Sequence, residues 1–166
     1  DPATGHVVTT PIAVSPHNVQ VSSDGQSVFA VGTPGEDAAM AGLGRLLVFD
    51  ANAVSKGPIA NIAVGRMPAH VIVDARAERA YVTNSGDNAI TIVNIPQGSA
   101  ERSVPVGRSP HGLRMSPDGR TIYVANTEDG TVSVLNVADM TEIARIPGGQ
   151  GPVQVAFTPH GRLRYV

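Results

Sequence analysis

Histidines carry the clearest chemical potential in this 166-residue chain. His17, His70 and His111 each follow a proline, Pro16, Pro68 and Pro110, that opens a recurring segment. His17 and His111 stand directly after the proline, and His70 stands one residue later. Imidazole nitrogens ligate zinc and copper readily, and a histidine can also hold a haem iron. If the fold gathers the three side chains, they can bind copper, zinc or haem. If it does not, they are solvated or bond to adjacent loops. A fourth segment carries Gln154, two residues after Pro152, as a further candidate ligand-binding residue. Arg66 and Arg108, two residues ahead of Pro68 and Pro110, could clamp an anionic ligand. The alternative is that each pairs with an acidic residue of a neighbouring unit.

The elements that must position these residues are repeats. Pro68, Pro110 and Pro152 are spaced by 42 residues, and so are Tyr81, Tyr123 and Tyr165. Two independent landmarks with one period define a structural unit. An upstream copy places Pro16 and Phe29 each 52 residues before their counterparts. Its extra residues fall mostly in Gly32–Gly44, which reads as an enlarged loop. The cleanest copy predicts strands over Gly112–Ser116, Thr121–Ala125, Thr131–Val137 and Met140–Ile146, with turns at Pro117-Asp118-Gly119 and over Asn126–Gly130. Four antiparallel strands in this span form a β-propeller blade. The fold class is therefore all-β. Full blades are expected at about 17–65, 69–107 and 111–147, with partial blades at 1–14 and 153–166. The first partial blade would be a lone strand over about 5–14.

In a propeller the strand after the repeated proline lines the central channel. Equivalent residues of successive blades then converge on the axis. Strict strand alternation works against His70, whose one-residue offset would turn it to the opposite face. Asp24, Asp118, Asn84 and Asn126 fall at turns or strand ends and read as structural. His6 and His160 read as unremarkable, the latter as a turn residue.

Composition removes several functions. Net charge is −2 and only 16% of residues are charged, which argues against a nucleic-acid binder, since that needs a basic face to neutralise phosphates. No apolar run is long enough to span a bilayer. With no cysteine there is no disulfide, thiolate metal site or catalytic thiol. G-x-S-x-G, H-E-x-x-H, P-loop and Rossmann patterns are missing, which leans away from an enzyme. The chain opens at Asp1 without an initiating Met, which fits a mature exported protein, periplasmic or extracellular, or an incomplete chain.

Tyr81-Val82-Thr83-Asn84 and Tyr123-Val124-Ala125-Asn126 are accompanied by Val106-Gly107-Arg108-Ser109-Pro110, Ser116-Pro117-Asp118-Gly119 and Thr131-Val132-Ser133-Val134. This set resembles the YVTN family of β-propellers. The resemblance implies a ring of seven blades, so further blades from a missing part of the chain are expected to close it. It is similar also to the cytochrome d1 domain of nitrite reductases. That implies a redox-associated alternative in which His17, His70 or His111 ligates haem iron. The first expectation is a non-catalytic exported module that binds a protein partner, with a ligand or metal at its channel. A cell-envelope structural role is a third possibility.

Overall fold

The computed structural model describes residues 3–5, 7, 9–35, 42–158 and 164–165. Three four-stranded antiparallel sheets follow one another along the chain. The first contains β1 (Ser15–Val21), β2 (Ser27–Thr33), β3 (Arg45–Asp50) and β4 (Ala60–Ala63). The second contains β5 (Pro68–Val73), β6 (Arg79–Asn84), β7 (Ala89–Asn94) and β8 (Ser99–Pro105). The third contains β9 (Pro110–Met115), β10 (Thr121–Asn126), β11 (Thr131–Asn136) and β12 (Glu142–Pro147). Each sheet is a simple meander in chain order, the topology of a propeller blade. A last antiparallel pair, β13 (Ala156–Phe157) with β14 (Arg164–Tyr165), follows the third sheet. Helix among the described residues is limited to one 3-10 turn at Val54–Lys56, and no helix there is long and apolar enough to cross a membrane.

Local chemistry accounts for the meander. The central strands are runs of β-branched and aromatic residues, which favour a pleated surface buried on both faces. β7 (AITIVN) and β10 (TIYVAN) are buried over almost their whole length. The turn after β9 is tied by Asp118, whose carboxylate accepts the Ser116 hydroxyl at 2.6 Å and the Arg120 N–H at 3.1 Å. Gly119 supplies the left-handed backbone (φ 70°) that this turn requires. Asp24 does the same work after β1, accepting Ser22 Oγ–H and Gln26 N–H. In the second blade Asp74 caps the turn directly, accepting the N–H groups of Glu78 and Arg79.

The core lies between blades. Phe29, Val31, Leu46 and Val48 of the first sheet pack on Val71, Val82 and Val93 of the second. Tyr81, Ile90 and Ile92 of the second pack on Leu113, Ile122, Val124 and Leu135 of the third. Tyr123 and Val134 of the third take up Val155 and Phe157 of the last pair, with the Tyr123 and Phe157 rings edge-on at 5.1 Å. Full burial of side chains this size contributes about 1.5–3 kcal/mol each, so blades stabilise one another as stacked repeats do.

The chain ahead of β1 is described at residues 3–5, 7 and 9–14. No strand occurs among the described residues of 3–14. Ile12 and Val14 lie on Ala30, Leu47 and Phe49 instead, covering part of the outward face of the first blade. Residues 36–41, the middle of the expected enlarged loop, lie outside the described residues, as do His6 and His160.

Candidate metal centre

β1, β5 and β9 open their blades and lie side by side, with β5 between the other two. Each carries a bulge just after its proline. Pro68 faces Asn84 and Val71 faces Val82, so Ala69 and His70 oppose Thr83 alone. Pro110 faces Asn126 and Leu113 faces Val124, so His111 and Gly112 oppose Ala125 alone. In β1 the shift falls between Pro16 and Asn18, at His17. A bulge sets two residues against one and breaks strict alternation. His70 therefore reaches the same point as His17 and His111 despite its offset.

The three rings form one cluster. Ring centroids are 5.9 Å apart for His17 and His70, 5.2 Å for His17 and His111, and 4.9 Å for His70 and His111. One ring nitrogen from each lies within 4.8 Å of the others. Two nitrogens on one tetrahedral zinc stand about 3.4 Å apart, given bonds of about 2.0–2.1 Å. The nitrogens would have to close by up to about 1.4 Å to share one ion.

Hydrogen bonds decide which nitrogen is offered. His17 Nδ1 lies 2.7 Å from the Ala69 carbonyl oxygen. His111 Nδ1 lies 3.2 Å from the Val153 carbonyl oxygen, the equivalent contact one blade on. A carbonyl only accepts, so Nδ1 carries the proton in both rings and Nε2 keeps its lone pair. Histidine ligands of metals are commonly oriented in this way, through a carbonyl on the second nitrogen. Both rings thus bond to backbone of the following unit, as the structural alternative expects, and their Nε2 atoms are left unprotonated.

Thr83 is a residue that sequence reasoning missed. Its buried hydroxyl accepts the His70 N–H at 3.0 Å and donates to the His111 carbonyl at 2.6 Å. It thereby ties two of the three histidine-bearing strands together. Its counterpart in the next blade is Ala125, so these two blades do not share the hydroxyl. The differing third residue of Tyr81-Val82-Thr83-Asn84 was the available signal.

Burial first, then the proximity of His111, His17 and Arg114, pushes the pKa of His70 down from 6.5 to about 4. Burial and His17 also lower His111, against an upward pull from its bond to Val153. Between pH 4 and 6.5 the unfolded chain thus binds more protons than the folded one. The apo protein should hold this stability in full above pH 6.5 and lose it as pH falls towards 4. After discounting for the partial exposure of the ring, the loss is about 1–2 kcal/mol. Urea midpoints at pH 7 and pH 4.5 test it, and a His70→Gln variant should show a visibly flatter profile. An equal slope in both proteins would contradict the assignment.

The arginines are engaged with their own blades. Arg66 Nε lies 2.6 Å from Asp87 Oδ1, while its backbone N–H reaches Asp87 Oδ2 at 2.7 Å. Arg108 repeats both distances with Asp129. The acids come from the β6–β7 and β10–β11 turns of the blade that each arginine leads into, not from a neighbouring blade. Partial burial pushes Asp87 up, yet the Arg66 N–H, guanidinium bond and charge hold it below the usual range. Arg108 lowers Asp129 in the same way. Both guanidiniums remain about half exposed or more. Gln154 lies against Gly112, and its side-chain oxygen accepts the N–H of Val155.

An open cavity of about 370 Å³ borders the cluster, lined by His17 and His111 with Pro16, Met67, Pro68 and Ser109 among others. Met67 and Ser109 hold left-handed backbone (φ 49° and 52°). Such residues cost roughly 1–2 kcal/mol each and persist where surrounding structure fixes them. Here Ser85 N–H bonds the Met67 carbonyl, and Thr127 N–H bonds that of Ser109.

Comparison with known proteins agrees with the architecture. Hydrazine synthase of Kuenenia stuttgartiensis superposes with a TM-score of 0.80 at 22% identity, covering 96% of this chain and 44% of that one. A functionally unknown protein from Desulfotomaculum acetoxidans DSM 771 superposes with a TM-score of 0.73 at 15% identity, covering 89% and 47%. At these identities the likeness is one of fold, and the chain spans less than half of either structure. No curated protein matches the sequence. A YNCE-like beta-propeller family model matches residues 62–165. That match covers more than half of the chain, and with three meander sheets stacked blade on blade it makes this protein a member of the YNCE-like β-propeller family.

Proposed function

We propose that this chain is a non-catalytic binding module whose channel mouth takes up one divalent transition metal, zinc or copper, through His17, His70 and His111. The observation that carries the proposal is the meeting of three imidazoles, one from each of three successive blades, within 4.8 Å. Their tautomers support it, because the Nδ1–H groups of His17 and His111 are bonded to carbonyls. Imidazole donors suit zinc and copper. A haem fits less well. A haem would need only one of the three histidines as ligand, which leaves the meeting of all three unexplained.

Isothermal titration with Zn²⁺ or Cu²⁺, checked by elemental analysis of dialysed protein, tests the reading. One equivalent is expected for the parent chain and none at micromolar metal for His111→Ala. Undiminished stoichiometry in that variant would remove the proposal. A visible spectrum with a Soret band on the purified protein would replace it with the haem reading.

A further inference from the structure

We infer that the metal held by these histidines binds a small anion, of inorganic or carboxylate type, at a coordination position open to the adjoining cavity. The inference rests on the metal reading above and goes further, to the ligand class.

Charge is the first ground. Three neutral imidazoles leave the full +2 of a divalent ion in place. Among the described residues lining the cavity there is no aspartate or glutamate to offset it. The nearby acids are already engaged, Asp87 with Arg66 and Asp129 with Arg108. Arg114 adds positive potential at His70. A bound cation is then the dominant local charge, and a partly dehydrated site favours a ligand that neutralises it.

Geometry is the second ground. The three nitrogens come from three adjacent strands, so they approach the ion from one side. Sites with three protein ligands keep a position for water or substrate, unlike closed structural sites. The cavity at this position has walls of Pro16, Met67 and Pro68 with hydroxyls at Ser15, Thr33 and Ser109. Apolar walls strengthen the pairing of metal and anion, and hydroxyls donate to the anion's outer atoms.

Cobalt(II)-loaded protein titrated with sodium azide, followed by the visible ligand-field bands, tests the inference. A saturable spectral change at constant cobalt content is expected, with acetate competing. Met67→Glu places a carboxylate in the cavity at a residue 44% exposed. This variant should retain cobalt and bind azide about tenfold more weakly. Cobalt uptake without any azide-dependent change would overturn the anion site and leave the metal site standing. Equal azide affinity in Met67→Glu would show that the anion binds elsewhere. Failure to take up cobalt, zinc and copper alike would overturn both.

Discussion

Replacing Gly107 by alanine should destabilise the protein by about 2–4 kcal/mol. A Cβ built on Gly107 would lie 2.5 Å from Asn126 Cγ and Nδ2 and 2.7 Å from Asn126 Cβ. Asn126 has no room to yield. It is fully buried, and its Nδ2 donates to Ser133 Oγ at 2.9 Å and Thr131 Oγ1 at 3.1 Å. Moving it would strand a buried amide, whereas leaving it forces the connector between blades outwards. Gly65 stands in the same relation to Asn84, whose Nδ2 donates to Thr91 Oγ1. The glycine before the proline and the asparagine closing the second strand are thus one device, repeated at two joints. A double-mutant cycle measured by urea denaturation checks this. In an Asn126→Gly background the Gly107→Ala step should fall below about 1 kcal/mol. Additive penalties would show that the strain lies elsewhere.

Thr83→Val should have the second-largest effect, through both stability and binding. Valine keeps the shape and removes the hydroxyl. The His70 N–H and the His111 carbonyl then lose a buried partner, a penalty of about 2–3 kcal/mol. Thr83 sits behind the cluster, so it is a positioning residue. Zinc affinity of the folded variant should drop about tenfold, as for outer-shell partners of metal ligands. Thr83→Ser, which restores the hydroxyl, should recover most of that affinity. Lower stability with unchanged zinc affinity would assign Thr83 a packing role alone.

These two cases show what the sequence makes legible. The 42-residue period, the strands and the all-β class follow from periodic prolines and tyrosines, because a repeated unit repeats its packing demands. The alignment of His17, His70 and His111 is visible for the same reason. Strict alternation nevertheless argues against His70, since a bulge depends on a register that two strands set together and has no signature within one of them. Thr83 escapes notice because its partners lie in another strand of its own blade and in the next blade. The segment ahead of β1 reads as the last strand of a partial blade, and Ile12 and Val14 lie on the face of the first blade. Local pattern does not reveal whether an edge is available for pairing. The arginines were readable as ion-pair formers, but their acids, Asp87 and Asp129, come from the same blade, because the connector folds back over the turn between its second and third strands.

The bulge after each proline has a consequence for how such a centre can arise and change. In the second and third blades two successive residues stand there against one residue of the next strand. The first and third blades use the earlier position for histidine, and the second blade uses the later one. A repeat array of this kind tolerates a one-residue phase error, so point mutation can recruit a donor at either position without realigning a strand. Packing between blades sets the limit. At Gly112 the later position is closed, because a Cβ there would run into the Val153 carbonyl and Gln154 of the following strand. Redesign of the centre is therefore confined to the earlier position in the third blade.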